Sequence, residues 1–222
     1  MDQAIVISEH ADTELKISHL GLTLSIAQKV ARVASAAKAS TLEIDVAFAP
    51  GMLAHIYGNR QLRLALLPLG WRLGRFNNVE TVINDDLGVQ IIFQNVDMAC
   101  VPSHSPQAIS SKGAGSRQLV QKGIQGELWD QPNLNPAAVE SQNDKRGVTP
   151  SVWMFCVSDD GKRLRAELSK PNPFEGNQLE SFSKRIFVLD EETGPQPDID
   201  IKSSSNGDDD EDFDIEVNVA RK

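Results

Sequence analysis

Residues 152–157 have the sequence VWMFCV, and after the turn-forming residues Asp159-Asp160-Gly161, residues 163–168 have the sequence RLRAEL. The first stretch is continuously apolar, which is typical of a strand with both faces buried. The second stretch alternates between polar and aliphatic residues, which is typical of a strand with one buried face. An Asp-Gly turn between two such stretches predicts a β-hairpin.

Apolar spacing in the rest of the chain predicts further strands and helices. The predicted strands are residues 4–8, 42–48, 79–83, 89–96 and 185–189, and the predicted helices are residues 22–37, 52–67 and 118–125. In the second of these helices, we expect Leu53, Ile56 and either Leu64 or Leu67 to face the core. The elements mix without a regular βαβ alternation, which predicts an α+β fold with a mixed, mainly antiparallel sheet and two to three helices.

The chain divides into four predicted regions. Residues 1–130 form an α+β core, and residues 131–150 form an exposed linker rich in proline and asparagine. Residues 151–189 hold the hairpin and a third strand, which we expect to complete the same domain. Residues 190–222 form a disordered acidic tail, because a dense acidic block with few apolar residues cannot offset the entropy cost of folding.

Composition limits the class of protein. The chain has 222 residues and 40% hydrophobic content, which is enough for one domain with its own core. Its two cysteines, Cys100 and Cys156, lie in or beside apolar stretches, so we expect free buried thiols and a cytoplasmic location. No apolar stretch approaches the ~18 residues of a membrane span, so no membrane partner is expected.

The net charge of −9 is concentrated in the predicted tail. Residues 190–222 contain 12 acidic and 3 basic residues, whereas residues 1–189 contain 19 of each. A neutral body with an acidic tail indicates a tail that is recognised by something basic. The block over 208–214 has the sequence DDDEDFD, and apolar and acidic residues alternate after it, which favours a docking peptide.

Three hypotheses for the tail stay open: a solubilising segment, a segment that folds back on basic patches and is autoinhibitory, and a segment that docks on a basic surface of a partner protein. In its character alone the tail resembles the acidic, phenylalanine-containing tips of single-stranded-DNA-binding proteins, which implies recruitment of a partner. The predicted docking residues are Asp208, Asp209, Asp210, Glu211, Asp212, Phe213, Asp214 and Ile215.

Carboxylates provide the candidates for catalysis. A metal-dependent nuclease holds a divalent ion with acidic side chains, and that ion activates water. The candidate residues are Glu43, Asp45, Asp85, Asp86 and Asp97. The position after Gln94-Asn95 where such a nuclease has lysine is Val96, and Asp85-Asp86 also suit a hairpin turn. The four histidines show no metal-ligand spacing, so the sequence predicts neither a metal site nor a cofactor.

Basic residues provide the candidates for anion or nucleic-acid binding. A glycine-rich segment with Lys112 and Arg117 precedes a predicted helix and could present N–H groups to an anion. Arginines on the alternating strand after Gly161 could form a cationic sheet face if that face is exposed. The remaining candidates are Arg60, Arg63, Arg72, Arg75, Lys162, Arg163, Arg165, Lys184 and Arg185.

The charge distribution favours one of three possible functions. We expect a non-enzymatic accessory or adaptor protein of a larger cytoplasmic assembly, whose acidic tail docks on a basic partner and which has nucleic acid as a further partner. The alternatives are a divergent metal-dependent hydrolase or nuclease and a direct nucleic-acid-binding protein with an autoinhibitory tail. Convergence of the carboxylates would favour the first alternative, and a steep salt dependence of binding would favour the second.

Overall fold

A computed structural model describes residues 4–129 and 149–194. In these residues, seven strands form one mixed sheet around which four α-helices pack, which confirms the predicted α+β class. The elements are β1 (Ile5–Ile7), α1 (His10–His19), α2 (Leu24–Ala39), α3 (Ala49–Leu66), β2 (Arg72–Phe76), β3 (Val79–Asn84), β4 (Val89–Asn95), α4 (Ala114–Trp129), β5 (Ser151–Asp159), β6 (Arg163–Pro171) and β7 (Phe182–Glu192).

The sheet has the strand order β1-β7-β6-β5-β4-β3-β2. The pairs β1–β7 and β4–β5 are parallel, and the other four neighbouring pairs are antiparallel, as predicted. β5 therefore lies in the middle of the sheet, and β5 to β7 belong to the same sheet as β2 to β4. This position explains why β5 is apolar throughout: both of its faces are covered.

The predicted hairpin is the β5–β6 pair, in which Phe155 lies opposite Leu168 and Cys156 opposite Glu167. Gly161 has φ +81°, a left-handed conformation that a side chain disfavours. The Asp160 carboxylate accepts hydrogen bonds from the backbone N–H groups of Lys162 and Arg163 at 2.9 and 2.7 Å. These bonds fix the turn in the way that Asp residues commonly do.

Two hydrophobic cores lie on opposite faces of the sheet, and β5 contributes to both. Trp153, Phe155 and Val157 pack in the core beneath α1, α2 and α3. Residues 152, 154 and 156 pack on the other face, together with α4 and the segments that follow β4 and β6. The period of two along a strand separates these two sets of side chains.

Helix α3 packs on the sheet through small residues, and this corrects the predicted core face. Its buried positions are Ala54, Gly58, Leu62 and Leu66. A Cβ atom at Gly58 would lie 2.3 Å from Cζ of Phe93, so the ring occupies the space that glycine leaves. Ile56, which was expected in the core, is 41% exposed, and Leu64 and Leu67, of which one was expected there, are 63% and 39% exposed.

Residues 42–48 do not form the predicted strand. They make the connection between α2 and α3, with turns over 43–44 and 47–48. Both helices pack on the same face of the sheet, so the connection between them lies at the end of the helical layer. No strand of the described sheet lies beside it to pair with. Ser35 Oγ donates to Asp159 Oδ2 at 2.5 Å, and Asn95 Nδ2 donates to the Gly51 carbonyl at 2.8 Å. The connection therefore projects beyond the carboxyl ends of β4 and β5.

Other elements also differ from the prediction. Helix α1 and strand β2 were not predicted, because the first has a weak apolar stripe and the second has only Leu73 and Phe76 as large apolar residues. Strand β7 extends through Glu192, so the first three residues assigned to the tail belong to the sheet. Residues 131–148 of the predicted linker and 195–222 of the tail lie outside the described residues. Among the described helices, none has the length and apolarity to cross a membrane.

Candidate functional site

The structure separates Asp85 and Asp86 from Asp97. Asp85 and Asp86 lie in the turn before β4, and Asp97 lies after it. A strand of seven residues spans about 23 Å, so these carboxylates lie at opposite ends of the strand. Glu43 and Asp45 are exposed in the α2–α3 connection. In residues 4–129 and 149–194, no group of three or more His, Cys, Asp or Glu residues could hold a metal ion.

The Asp97 side chain organises the loop that follows β4. Its Oδ1 accepts from the backbone N–H groups of Met98 and Gln107 at 2.6 and 2.8 Å. Its Oδ2 lies 2.9 Å from Nε2 of His104. All three contacts tie one part of the loop to another, so Asp97 acts as a loop clamp.

Most of the surface arginines proposed for anion binding are paired with carboxylates. Arg63 and Arg75 both contact Glu80, at 2.8 and 3.2 Å. The other ion pairs are Arg72–Asp85 at 2.6 Å, Arg163–Asp190 at 2.6 Å, Arg165–Asp190 at 3.4 Å and Arg165–Asp160 at 3.7 Å. Exposed pairs of this kind contribute little to stability, but they reduce the positive charge available to a phosphate. Lys162 and Lys184 are exposed.

Arg185 is not a surface residue, which corrects the predicted cationic face of the sheet. Its side chain is 3% exposed, and it donates from Nε and Nη2 to the carboxylate of Glu167, at 2.8 and 2.7 Å. Nη1 donates to the carbonyls of Val101 and His104 at 3.0 and 2.8 Å. The loop after β4 covers this face, so Glu167 and Arg185 form a buried ion pair.

Glu167 also holds the loop through a cysteine. The backbone N–H of Cys100, whose φ is +57°, donates to Glu167 Oε2 at 2.6 Å. Burial and the negative charge of Glu167 raise the pKa of the Cys100 thiol. Burial is also the main cause that raises the pKa of Cys156. Both cysteines are free and buried, as expected from their apolar surroundings.

The glycine-rich segment is fixed against neighbouring elements by its two basic side chains. Lys112 Nζ donates to Oε1 of Gln94, whose side chain is buried on β4. Burial lowers the pKa of Lys112 to about 8. Arg117 donates to the carbonyl of Gly176 at 2.9 Å. Lys112 is therefore directed into the protein, whereas Arg117 makes its hydrogen bond at the surface, so anion binding by this segment stays a prediction.

The most exposed apolar side chain of the described residues, Ile44, lies in the α2–α3 connection, which we call the apolar loop (residues 42–48). Ile44 is 89% exposed and Phe48 is 63% exposed, and Leu42 and Val46 are about half exposed. Burial of one such side chain contributes about 1.5–3 kcal/mol. Exposed clusters of this kind mark interaction sites. The sequence signal for this loop was its alternation, which predicted a strand instead.

A second exposed surface, which we call the α3 groove, runs along the outer side of α3. It is lined by His55, Ile56, Asn59, Arg60, Arg63, Leu64, Leu67 and Glu80. Arg60 lies over the ring of Tyr57 at 4.7 Å, which fixes its guanidinium beside the apolar side chains. Burial is the main cause that lowers the pKa of His55, so the positive charge of the groove comes from its arginines.

Sequence reasoning missed the α3 groove but could have found it. A helix that is apolar on two stripes has one stripe in excess of what packing against a sheet requires.

The predicted docking residues 208–215 lie outside the described residues. No protein-family model matches the chain, and neither a curated protein nor a solved structure is significantly similar to it.

Proposed function

We propose that this chain is a non-enzymatic adaptor of a larger cytoplasmic assembly, and that it binds a partner protein with an apolar pocket rimmed by lysine or arginine. The single observation that carries this proposal is the apolar loop, in which Ile44 is 89% exposed at the free end of the α2–α3 layer. An adaptor needs such a surface, because apolar anchors provide most of the binding energy of an interface.

The charge of the partner follows from the acidic residues of the loop. Glu43 and Asp45 alternate with Leu42, Ile44 and Val46, and both acids are exposed. Acidic side chains around an apolar anchor favour a basic rim on the partner and steer the encounter. The chain therefore presents apolar contacts and negative charge from one short segment.

The tail repeats the pattern of the loop. Residues 42–46 have the sequence LEIDV, and residues 213–217 have the sequence FDIEV. Each segment has an apolar residue, an acid, isoleucine, an acid and valine, in this order. Two segments with the same chemistry suit the same class of basic, apolar pocket, and binding through both would raise the affinity by raising the effective concentration.

Affinity capture with matched variants tests the proposal. The full-length wild-type chain is compared with an Ile44→Ser/Val46→Ser/Phe48→Ser variant, with a Phe213→Ser/Ile215→Ser/Val217→Ser variant, and with a Leu15→Ser control, since Leu15 is an exposed leucine on α1. The proposal expects one stoichiometric protein that both triple variants lose and the control keeps. Binding of that protein, once purified, should fall as the salt concentration rises. Unchanged capture by the Ile44→Ser/Val46→Ser/Phe48→Ser variant would contradict the proposal, whatever the tail variant does.

A further inference from the structure

We propose that the α3 groove is a binding site for an acidic, apolar segment, and that its occupant is Phe213–Val217 of the same chain. The groove combines apolar side chains with guanidinium groups, and residues 213–217 combine apolar side chains with carboxylates. The two surfaces are therefore complementary in both kinds of chemistry.

The spacing of side chains also matches. Ile56, Arg60 and Leu64 follow one another every four residues along α3, which is a rise of about 6 Å. Side chains two residues apart on an extended segment are separated by about 6.8 Å. Phe213, Ile215 and Val217 thus fit along the helix at nearly the same interval.

Alternation places the two acids of the segment on the side away from its apolar residues. When Ile215 packs on the groove, Asp214 and Glu216 therefore point toward solvent, and the acids at 208–212 continue the segment beyond Phe213. Arg60 is exposed at the groove, whereas Arg63 is already held by Glu80 at 2.8 Å. Attraction between the exposed guanidinium of Arg60 and these acids adds specificity and salt dependence to the apolar contact.

The tail starts on the correct side of the protein. The backbone N–H of Thr193 donates to the Lys162 carbonyl at the β5–β6 turn, and Glu191 contacts Arg32 of α2 at 2.8 Å. Helix α2 packs beside α3 on the same face of the sheet. About twenty residues separate Gly194 from Phe213, and they span up to about 60 Å. Helix α3 is only about 27 Å long, so the whole groove is within reach.

The apolar loop of the same chain cannot be the occupant, although it has the same pattern. Phe48 directly precedes the first residue of α3, so the loop lacks the length to fold back along the helix. The loop of a second copy could reach the groove, and the experiment below separates this case from tail binding in cis.

Occupation of the groove has a consequence for regulation, which rests on the proposed function. The acidic block over 208–212 would lie beside the groove when Phe213 is bound. A basic partner surface that attracts this block would release the segment, and the tail and the apolar loop would then bind the partner together. Tail binding in cis would lower the apparent affinity for that partner.

Photo-crosslinking in the full-length chain tests the inference. Phe213 is replaced by benzoylphenylalanine, which keeps an aromatic side chain, and crosslinks are mapped by peptide mass spectrometry in the monomer fraction. The expected product joins residue 213 to residues 52–67, with Met52 and Ile56 among the targets. An Ile56→Ser/Leu64→Ser variant, which changes only exposed side chains, should reduce the yield about fivefold or more. An Arg60→Glu variant should do the same, and Leu15→Ser should not.

Three results would overturn the inference: no crosslink in the monomer, a crosslink to another part of the body, or a crosslink found only between two copies. An unchanged crosslinking yield in both groove variants would overturn it as well. The proposed function fails separately, because its test depends on the apolar loop and on a second protein. If no crosslink forms but the variant with Ile44 replaced still loses its partner, the inference is contradicted and the proposed function stands.

Discussion

The guanidinium of Arg185 donates two parallel hydrogen bonds to the carboxylate of Glu167, at 2.8 and 2.7 Å, and both residues are almost completely buried. The pair connects neighbouring strands β6 and β7. It also connects them to the loop after β4, through the carbonyls of Val101 and His104 and the N–H of Cys100. Two charges removed from water are tolerable only when nearly all their donors and acceptors are used.

Substitution of Glu167 by glutamine should destabilise the fold by about 3–5 kcal/mol. Glutamine keeps the shape but has a single acceptor oxygen, and its amide group places N–H donors against those of Arg185 or Cys100. Urea denaturation at neutral pH measures the loss. A Glu175→Gln variant is the control, because Glu175 is exposed in the β6–β7 connection. A loss below about 1 kcal/mol would show that the pair is dispensable.

A double-mutant cycle separates this pair from general damage to the core. Arg185→Met alone should destabilise the chain as strongly as Glu167→Gln. The double variant should lose clearly less stability than the sum of the two single losses. The reason is that the second substitution removes a charge that the first has already left without its partner. Additive losses would contradict direct coupling.

Two glycines of α3 should respond in opposite directions to alanine. At Gly58 a Cβ atom would lie 2.3 Å from Phe93, and that ring is stacked on Phe155 with centroids 6.1 Å apart. Overpacking of this kind costs about 1–3 kcal/mol. At Gly51 a Cβ atom meets nothing within 4 Å, so alanine should stabilise the helix by up to about 1 kcal/mol. Thermal unfolding of both variants measures the direction of the change in melting temperature. Shifts of the melting temperature in the same direction for both variants would be inconsistent with this packing.

Lys112 should make stability rise with pH in the alkaline range. Its pKa is about 8 in the folded protein and near 10.5 in the unfolded chain. Between these values Lys112 binds more protons in the unfolded state, so its contribution to the free energy of unfolding increases as the pH rises from about 8 to 10.5. Cys100 and Cys156 oppose this contribution above their ordinary pKa of 9.0, because burial raises the pKa of both thiols in the folded protein. The Lys112 contribution is on the order of 3 kcal/mol, and it is the difference between the pH profiles of the wild type and a Lys112→Met variant. Denaturation at pH 7, 8, 9 and 10 measures this slope.

The control for the alkaline slope is a change at an exposed lysine. A Lys112→Met variant should lack the slope, whereas Lys184→Met should keep it, because Lys184 is exposed on β7. A Lys112→Met variant that follows the wild-type pH profile would show that this lysine titrates normally.

The sequence predicts the β5–β6 hairpin because its information is local. The apolar stretch, the Asp-Gly turn and the alternating stretch all lie within 152–168, and their pairing needs no distant residue. The same holds for β3, β4 and the turn between them. Helix α2 is also local, since its alanine-rich stripe at Ala27, Ala31 and Ala34 fits the spacing of a buried helix face.

The buried ion pair could not be predicted in this way. Glu167 lies on the polar side of an alternating strand, and that side is normally solvated. It is buried because residues 99–108, from a different part of the chain, cover it. Likewise, the core face of α3 consists of its small residues, because Gly58 allows the helix to approach Phe93. Hydrophobicity alone selects the opposite stripe, which forms the α3 groove.

Residues 42–48 show the limit of alternation as a signal. A strand needs a partner strand to pair with. This segment connects two helices on one face of the sheet and has no such partner in the described residues, so its apolar side chains are exposed. Replacing Ile44 or Val46 by serine should therefore change the free energy of unfolding by no more than about 0.5 kcal/mol. In a half-buried strand, the same change would cost at least about 1.5 kcal/mol. Leu62→Ala, at a buried position of α3, should cost about 2–5 kcal/mol and serves as the comparison. Urea titration of the three variants decides whether the loop is a surface for binding or a part of the core.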